Sequence, residues 1–186
     1  MISERSYIRI AQELEVELPA LKAVVDVESN GEAFLPDGRP KILFEAHHFS
    51  RLTKHKYDVT HPRISSRKWN RKLYVGGVGE HFRLESAVAL DRLAALKSAS
   101  WGMFQIMGFN YTACGFDSMQ KFVNAMYKDE DAQFTAFATF LKNNPRMLRA
   151  LQRKKWDQFA DAYNGPGYKL NRYDTKLEQA YKRNLH

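Results

Sequence analysis

The chain has 186 residues, 44% of them hydrophobic, and a net charge of +8 from 29 Lys and Arg against 21 Asp and Glu. That length favours one domain with a sizeable core, and that composition excludes a disordered chain. The single cysteine, Cys114, excludes an internal disulfide, and no apolar run approaches the ~18 residues of a membrane span.

The chain opens with a helix from Ser3 to about Val16, capped by Ser3, with Ile8, Ala11 and Leu14 on one face and Ile10 beside them. Pro19 suits the first turn of a second helix, for which Asn30-Gly31 is a stop. Between Phe34 and Phe44 the turn former Pro36-Asp37-Gly38 sits among apolar residues and predicts a short hairpin. A short helix follows, from about Glu45 to Leu52. Residues 54–79, rich in Gly, His, Ser and cations, read as a long surface excursion. Helical periodicity returns from Glu80 to Leu96, with Phe82, Val88 and Leu96 among its apolar positions. Asp117 or Ser118 can cap the next helix, through Phe122, Val123 and Met126. Further helices are expected over 130–142, from Pro145 through Leu151, over 155–163, and from about Asp174 to the end. The fold class is therefore mostly α, with one small β element, and the chain reads as one domain over 1–186.

Three short blocks carry chemistry. Glu28-Ser29 closes the apolar stretch Leu18–Val27. Far downstream come Ser100-Trp101-Gly102-Met103-Phe104-Gln105-Ile106 and Ala162-Tyr163-Asn164-Gly165. One acid at a helix end plus two polar-aromatic clusters is what a glycan-cleaving cleft needs. A glycosidic bond breaks when its leaving oxygen is protonated as oxocarbenium character develops. The acid must keep its proton near neutral pH, so its pKa must rise from ~4.3. Raising it to ~6 takes about 2.3 kcal/mol. A helix C-terminus supplies ~0.3–1 kcal/mol of that. Burial against Val24, Val25 and Val27 must supply the rest, so Glu28 is expected half-buried at a cleft floor. Read singly, each block has a plainer reading: a surface Glu, a helix start with a buried Trp, and a helix C-terminus.

Together the blocks resemble the signatures of the lysozyme-like superfamily, which includes goose-type lysozymes and lytic transglycosylases: Glu-Ser, then Ser-x-Gly-Leu-Met-Gln-Ile, then Ala-Tyr-Asn-x-Gly. Met103 and Phe104 stand where that pattern has Leu and Met, both apolar exchanges. With Val27–Gly31 and Asp37–Glu45 added, residues 18–183 resemble the N-acetylmuramidase endolysins of phages and prophages. The resemblance implies a two-lobed helical domain that cuts peptidoglycan glycan strands between N-acetylmuramic acid and N-acetylglucosamine. It implies Glu28 as general acid, Ser100 and Gln105 as cleft residues binding the sugar chain, and Tyr163 and Asn164 as the aromatic-amide pair beside the acid. Physically, Tyr163 offers a ring face to a sugar and a hydroxyl to Glu28 or substrate, and the amides can serve N-acetyl groups.

The second carboxylate is Glu45 on this reading, anchored by Phe44 and oriented by His47 or His48; the alternative is a helix-capping Glu45, and Asp37 is first a turn former. An inverting hydrolase holds its base ~6.5–9.5 Å from the acid and a retaining one holds its nucleophile at ~5–5.5 Å, whereas a transglycosylase needs neither. Hydrolysis and transglycosylation stay open. No cofactor and no metal are expected: His47, His48, His55, His61 and His81 lack ligand spacing, and Cys114 has no partner.

Two segments hold the excess charge: residues 51–72, with 8 basic and 1 acidic, and residues 142–186, with 11 basic and 4 acidic. Trp69, among Lys68, Arg71 and Lys72, can stack on a sugar or a base, or simply pack. The basic helical segment 142–186 can engage anionic lipopolysaccharide or a membrane surface, or be a packed lobe with a solvated face. A nucleic-acid binder is a competing class, but no such motif is present, and none is expected as a partner. Met1–Ser6 lacks the apolar core of a secretory leader. The expected picture is a monomer made in the host cytoplasm without a signal peptide, reaching periplasmic peptidoglycan after the inner membrane is breached.

Overall fold

The computed structural model of the chain describes residues 1–29, 32–165 and 167–185. The expected helix stop at Asn30-Gly31 lies outside the described residues. The first helix, α1 (Glu4–Leu14), begins where the Ser3 hydroxyl accepts the Ser6 N–H. Ile10, Ala11 and Leu14 form its buried face. Ile8, expected with them, is 46% exposed, because two residues turn about 200° round a helix. Next, α2 (Leu18–Glu28) carries Pro19 in its first turn and buries Ala20, Leu21, Ala23, Val24 and Val25. A helix apolar on nearly every side must be central, and α2 is covered in part by α1 and by later helices.

The expected hairpin over 34–44 shrinks to the Pro36-Asp37-Gly38 turn and one bridge between Phe34 and Pro40. Pro40 has no N–H with which to extend a ladder. The following strand, β1 (Ile42–Phe44), pairs instead with β2 (Ala99–Trp101), which pairs with β3 (Ile106–Met107), all antiparallel. The β element is thus a three-stranded sheet. The block Ser100–Ile106 forms the β2–β3 hairpin of that sheet rather than a helix start. Gly102 turns that hairpin at φ +69°, and a Cβ there would lie 2.5 Å from Gln133 Oε1. Buried Gln133 accepts the Met103 N–H (2.8 Å) and donates to the Met126 carbonyl (2.8 Å), so one amide fixes the turn to the helices beneath it.

Directly after Glu45 comes α3 (Ala46–Leu52), and the excursion expected over 54–79 runs through residue 77, with a single 3-10 turn at Arg71–Leu73. The helix expected over Glu80–Leu96 is two, α4 (Val78–Val88) and α5 (Arg92–Lys97), separated where the Asp91 carboxylate caps α5 by accepting the Ala94 N–H. Phe82 is 59% exposed, with the Arg39 guanidinium over its ring. The inward face of α4 holds Glu80, His81 and Arg83 beside Leu84 and Ala87, and those charges mislead a count of apolar spacing.

The remaining helices are α6 (Met119–Lys128), capped by Ser118, α7 (Glu130–Lys142), capped by Asp129, α8 (Pro145–Gln152), α9 (Trp156–Asn164), the single turn α10 (Tyr168–Asn171), and α11 (Tyr173–Arg183). On α11, Leu177 and Ala180 are fully buried, and the helix packs on α2 and α9. Its end is tied by Tyr181 donating to Glu17 (2.7 Å) and Asn184 donating to Asp26 (2.8 Å). Among the described residues, no helix is long and apolar enough to cross a membrane.

Candidate active site

A cavity of about 380 Å³ opens between the helical side (α2, α7, α9, α11) and the β2–β3 side. Val27, Glu28, Phe140, Tyr163, Asn164 and Tyr173 line one wall, and Phe104 through Met107 with Asn110 line the other. Glu28, Gln105, Tyr163 and Asn164 are thereby brought together from three blocks that together span more than half the chain.

Glu28 is the last residue of α2 and is 7% exposed. Burial raises its pKa to about 7, against a lesser lowering by the Asn164 hydrogen bond and by the Lys176 charge. Asn164 ends α9 and donates its amide N–H to Glu28 Oε1 (3.1 Å). The acid is therefore partly protonated at neutral pH, and a donor is already in place for its ionised form.

Tyr163 stacks on Phe159 and stands edge-on to Phe137. Its hydroxyl donates to the Phe104 carbonyl (3.1 Å) rather than to Glu28, one of the two partners expected from sequence, the other being the substrate. Burial, then the nearby Glu28, push its phenol well above the ordinary range, so it stays neutral. Phe104, in the position where the wider pattern has Met, lies flat on Phe137 at 4.1 Å. Its side chain thus belongs to the core while its carbonyl anchors Tyr163.

Gln105 is held in the left-handed region, φ +48°, a strained place for a residue with a side chain. Its amide N–H donates to the Gly102 carbonyl (2.8 Å), and its Oε1 accepts the Ser100 hydroxyl (2.8 Å). One lone pair of that oxygen remains without a partner among the described residues. Ser100 is buried and is not among the residues lining the cavity; its hydroxyl orients Gln105 instead.

Glu45 extends the β1 ladder by one residue, its N–H donating to the Ser98 carbonyl (2.9 Å). Alternation along the strand puts it on the sheet face of Leu43, which pairs with Ser100 and through it with Met107 of the cavity wall. It is not itself a lining residue. Its carboxylate does not cap α3; Oε2 accepts the Tyr74 hydroxyl (2.7 Å) and lies 3.2 Å from His47 Nδ1. His48 instead accepts from Arg51, and burial, then His47 and Arg51, lower its pKa to about 4. The other early acid, Asp37, is bound to its neighbour: the Arg39 guanidinium (2.7 Å) and N–H hold it below the usual carboxylate range.

Buried Glu80 holds the frame around Glu45. It accepts the N–H groups of Phe44, Val75 and Gly76 and pairs with Arg83 (2.8 Å), which donates in turn to the Phe44 and Arg63 carbonyls. Tyr173, Tyr74 and Glu80 were not identified from sequence. Tyr173 precedes the expected start of its helix by one residue, and Tyr74 and Glu80 flank the glycines of the excursion, where no periodicity points to them. Among the described residues, no group of three or more His, Cys, Asp or Glu is placed to hold a metal ion.

Comparison with known proteins accords with this arrangement. The N-acetylmuramidase family matches residues 17–185. The crystal structure of the Burkholderia AP3 phage endolysin superimposes with a TM-score of 0.93 at 41% identity, over 99% of this chain and 71% of that one. No curated protein sequence matches. With its helical, lysozyme-like fold and its match over all but the first helix and the segment after it, the chain belongs to the N-acetylmuramidase family of peptidoglycan-degrading endolysins.

Proposed function

We propose that the chain, as a single catalytic domain, hydrolyses the β-1,4 bond between N-acetylmuramic acid and N-acetylglucosamine, with Glu28 as general acid. The observation that carries this reading is the buried Glu28 carboxyl, its pKa near 7, facing a cavity shared with Gln105, Tyr163 and Asn164. Glu28 protonates the leaving glycosidic oxygen and becomes a carboxylate. The Asn164 amide N–H and the more distant Lys176 charge then stabilise that carboxylate, so both act most strongly late in the proton transfer. Gln105, with one free acceptor lone pair, takes an N–H or O–H of the sugar chain, Ser100 sets its orientation, and the Tyr163 ring forms part of the sugar-facing wall.

Glu45 serves as the second carboxylate and activates water. Its acceptor role is supported by the Tyr74 hydroxyl, which donates to it, and its orientation by His47. The product of action in the cell is lysis from within, by attack on the periplasmic wall. The basic segment 142–186 adds attraction for anionic lipopolysaccharide: among the described residues, Arg149, Arg153, Lys155, Lys169, Arg172, Lys176 and Arg183 make no ion pair with an acid.

The test is release of reducing sugars from purified peptidoglycan by Glu28→Gln and Glu45→Gln proteins, with product analysis by mass spectrometry. Loss of turnover by about 10²–10⁴ on removing the proton donor, with reducing muramic ends from the unaltered enzyme, is the expected result. Anhydro-muramic ends, with activity surviving Glu45→Gln, would make the enzyme a lytic transglycosylase. Full activity in Glu28→Gln would overturn the reading.

A further inference from the structure

Trp69 is 60% exposed, and the mechanism above does not use it. Its indole N–H donates to the Tyr74 oxygen (2.7 Å), and the Tyr74 hydroxyl donates to Glu45 Oε2 (2.7 Å). The two rings meet edge to face at 6.4 Å. The one polar atom of the indole is therefore satisfied inside the protein, and much of its apolar surface is left to water. Burial, then the hydrogen bond to Glu45, raise the Tyr74 phenol to about 12, so the donor order from indole to hydroxyl to carboxylate is fixed at working pH.

The segment carrying Trp69 is pinned on both sides. The Ser66 N–H donates to the Ala46 carbonyl (3.2 Å) and its hydroxyl to the Lys68 carbonyl (2.9 Å). Asn70 accepts the Lys72 N–H (3.0 Å), and the Val75 and Gly76 N–H groups end on buried Glu80. An exposed aromatic ring held in this way has little freedom left to lose when something stacks on it. Glu45, to which it is linked, stands on the sheet face that continues into the Glu28 cavity. Lys68, Arg71 and Lys72 stand beside Trp69 in sequence, and none makes an ion pair among the described residues.

We propose that Trp69 is a stacking plate of the substrate groove beyond Glu45, taking the C–H face of one sugar ring of the glycan strand, while Lys68, Arg71 and Lys72 attract the carboxylates of its peptide stems. The inference rests on the glycan-cleaving reading, and it names the residues that bind the strand away from the reacting bond. An amphipathic ring with its N–H tied back suits a sugar, which offers C–H groups on one face and hydroxyls at its rim. The cations add a long-range, salt-sensitive pull toward stem-bearing wall.

Binding is measured in the full chain carrying Glu28→Gln, so that no turnover intervenes. The probes are a peptide-free N-acetylglucosamine hexamer and soluble glycan fragments with intact stems. Trp69→Ala is expected to weaken both by about tenfold, a change of about 1.4 kcal/mol, with Trp69→Phe recovering part of the loss. Replacing Lys68, Arg71 and Lys72 by Gln is expected to weaken only the stem-bearing fragments and to flatten their salt dependence. In the active chain, Trp69→Ala raises the half-saturating peptidoglycan concentration far more than it lowers turnover. Unchanged affinity for both probes, in a Trp69→Ala protein whose circular dichroism matches the parent, overturns the proposal. So does a Trp69 requirement for anionic vesicles or single-stranded DNA but not for the hexamer. Failure of the catalytic reading is separate: it appears as undiminished turnover in Glu28→Gln, whatever Trp69 does.

Discussion

Replacing Glu28 by Gln is expected to stabilise the fold at the pH where it abolishes the chemistry. In the unfolded chain a glutamate titrates near its ordinary value of 4.5, and in the folded protein Glu28 titrates near 7. The raised pKa means that the folded state binds the proton more tightly. That stability is fully present below pH ~4.5 and is lost as pH rises to ~7. At 1.36 kcal/mol per unit, the 4.5-to-7 gap amounts to about 3 kcal/mol, an upper value because some water reaches a cleft residue. Gln has nearly the same shape, keeps an acceptor for the Asn164 amide, and has no proton to lose. At pH 8 the Glu28→Gln protein is therefore expected to be more stable by about 2–3 kcal/mol, or roughly 5–10 °C in Tm for a chain of this size. At pH 4 the two proteins should differ by under about 0.5 kcal/mol, since both side chains are then neutral. Urea denaturation followed by circular dichroism at pH 4, 6 and 8 measures the difference directly. Parallel stability curves for the two proteins across that range would show that the folded state holds this carboxyl no differently from water, and the argument for a resident proton would fail.

Other perturbations separate the remaining parts of the site. Asn164→Ala removes the hydrogen bond that lowers the Glu28 pKa. The alkaline limb of the pH–rate profile should then move to higher pH while turnover falls about tenfold or more, because the developing carboxylate loses its donor. Gly102→Ala puts a methyl 2.5 Å from Gln133 Oε1 at φ +69°, and thermal melts should show a loss of about 1–3 kcal/mol. Glu80→Ala leaves the Arg83 charge and three backbone N–H groups without their partner. The expected loss of about 3–5 kcal/mol, read from urea midpoints, is a large share of the 5–15 kcal/mol typical of a domain.

What could be read from the sequence was local. Ser3, Pro19, Ser118 and Pro145 mark helix starts because capping and proline geometry depend on a few neighbouring residues. Glu28 was legible because a carboxylate after an apolar run must be desolvated if that run is buried. The errors lie where partners are distant in sequence. β1 pairs with a strand nearly 60 residues later, so no turn between them announces the pairing. Phe82 looks like a core residue, yet the buried side of its helix is taken by Glu80, His81 and Arg83, each satisfied by a different loop. The hydroxyl of Tyr163 was read as serving either Glu28 or the substrate. It goes instead to a carbonyl 59 residues away in sequence, a contact that depends on how Phe104 lies against Phe137. Lys176 and Tyr173 bear on Glu28 from the last helix, whose residues carry no motif.

That last helix has a practical meaning for anyone wishing to shorten the molecule. Its positively charged outer side invites treatment as a detachable appendage for sticking to bacterial envelopes. Removing it, however, would strip the lid from the helix that ends in the proton donor, open the greasy underside occupied by Leu177 and Ala180, and take away Tyr173 from the groove. Charge on this element can be redesigned by exchanging Lys182 and Arg183, whereas Lys176, whose charge reaches Glu28, and the backbone have to stay.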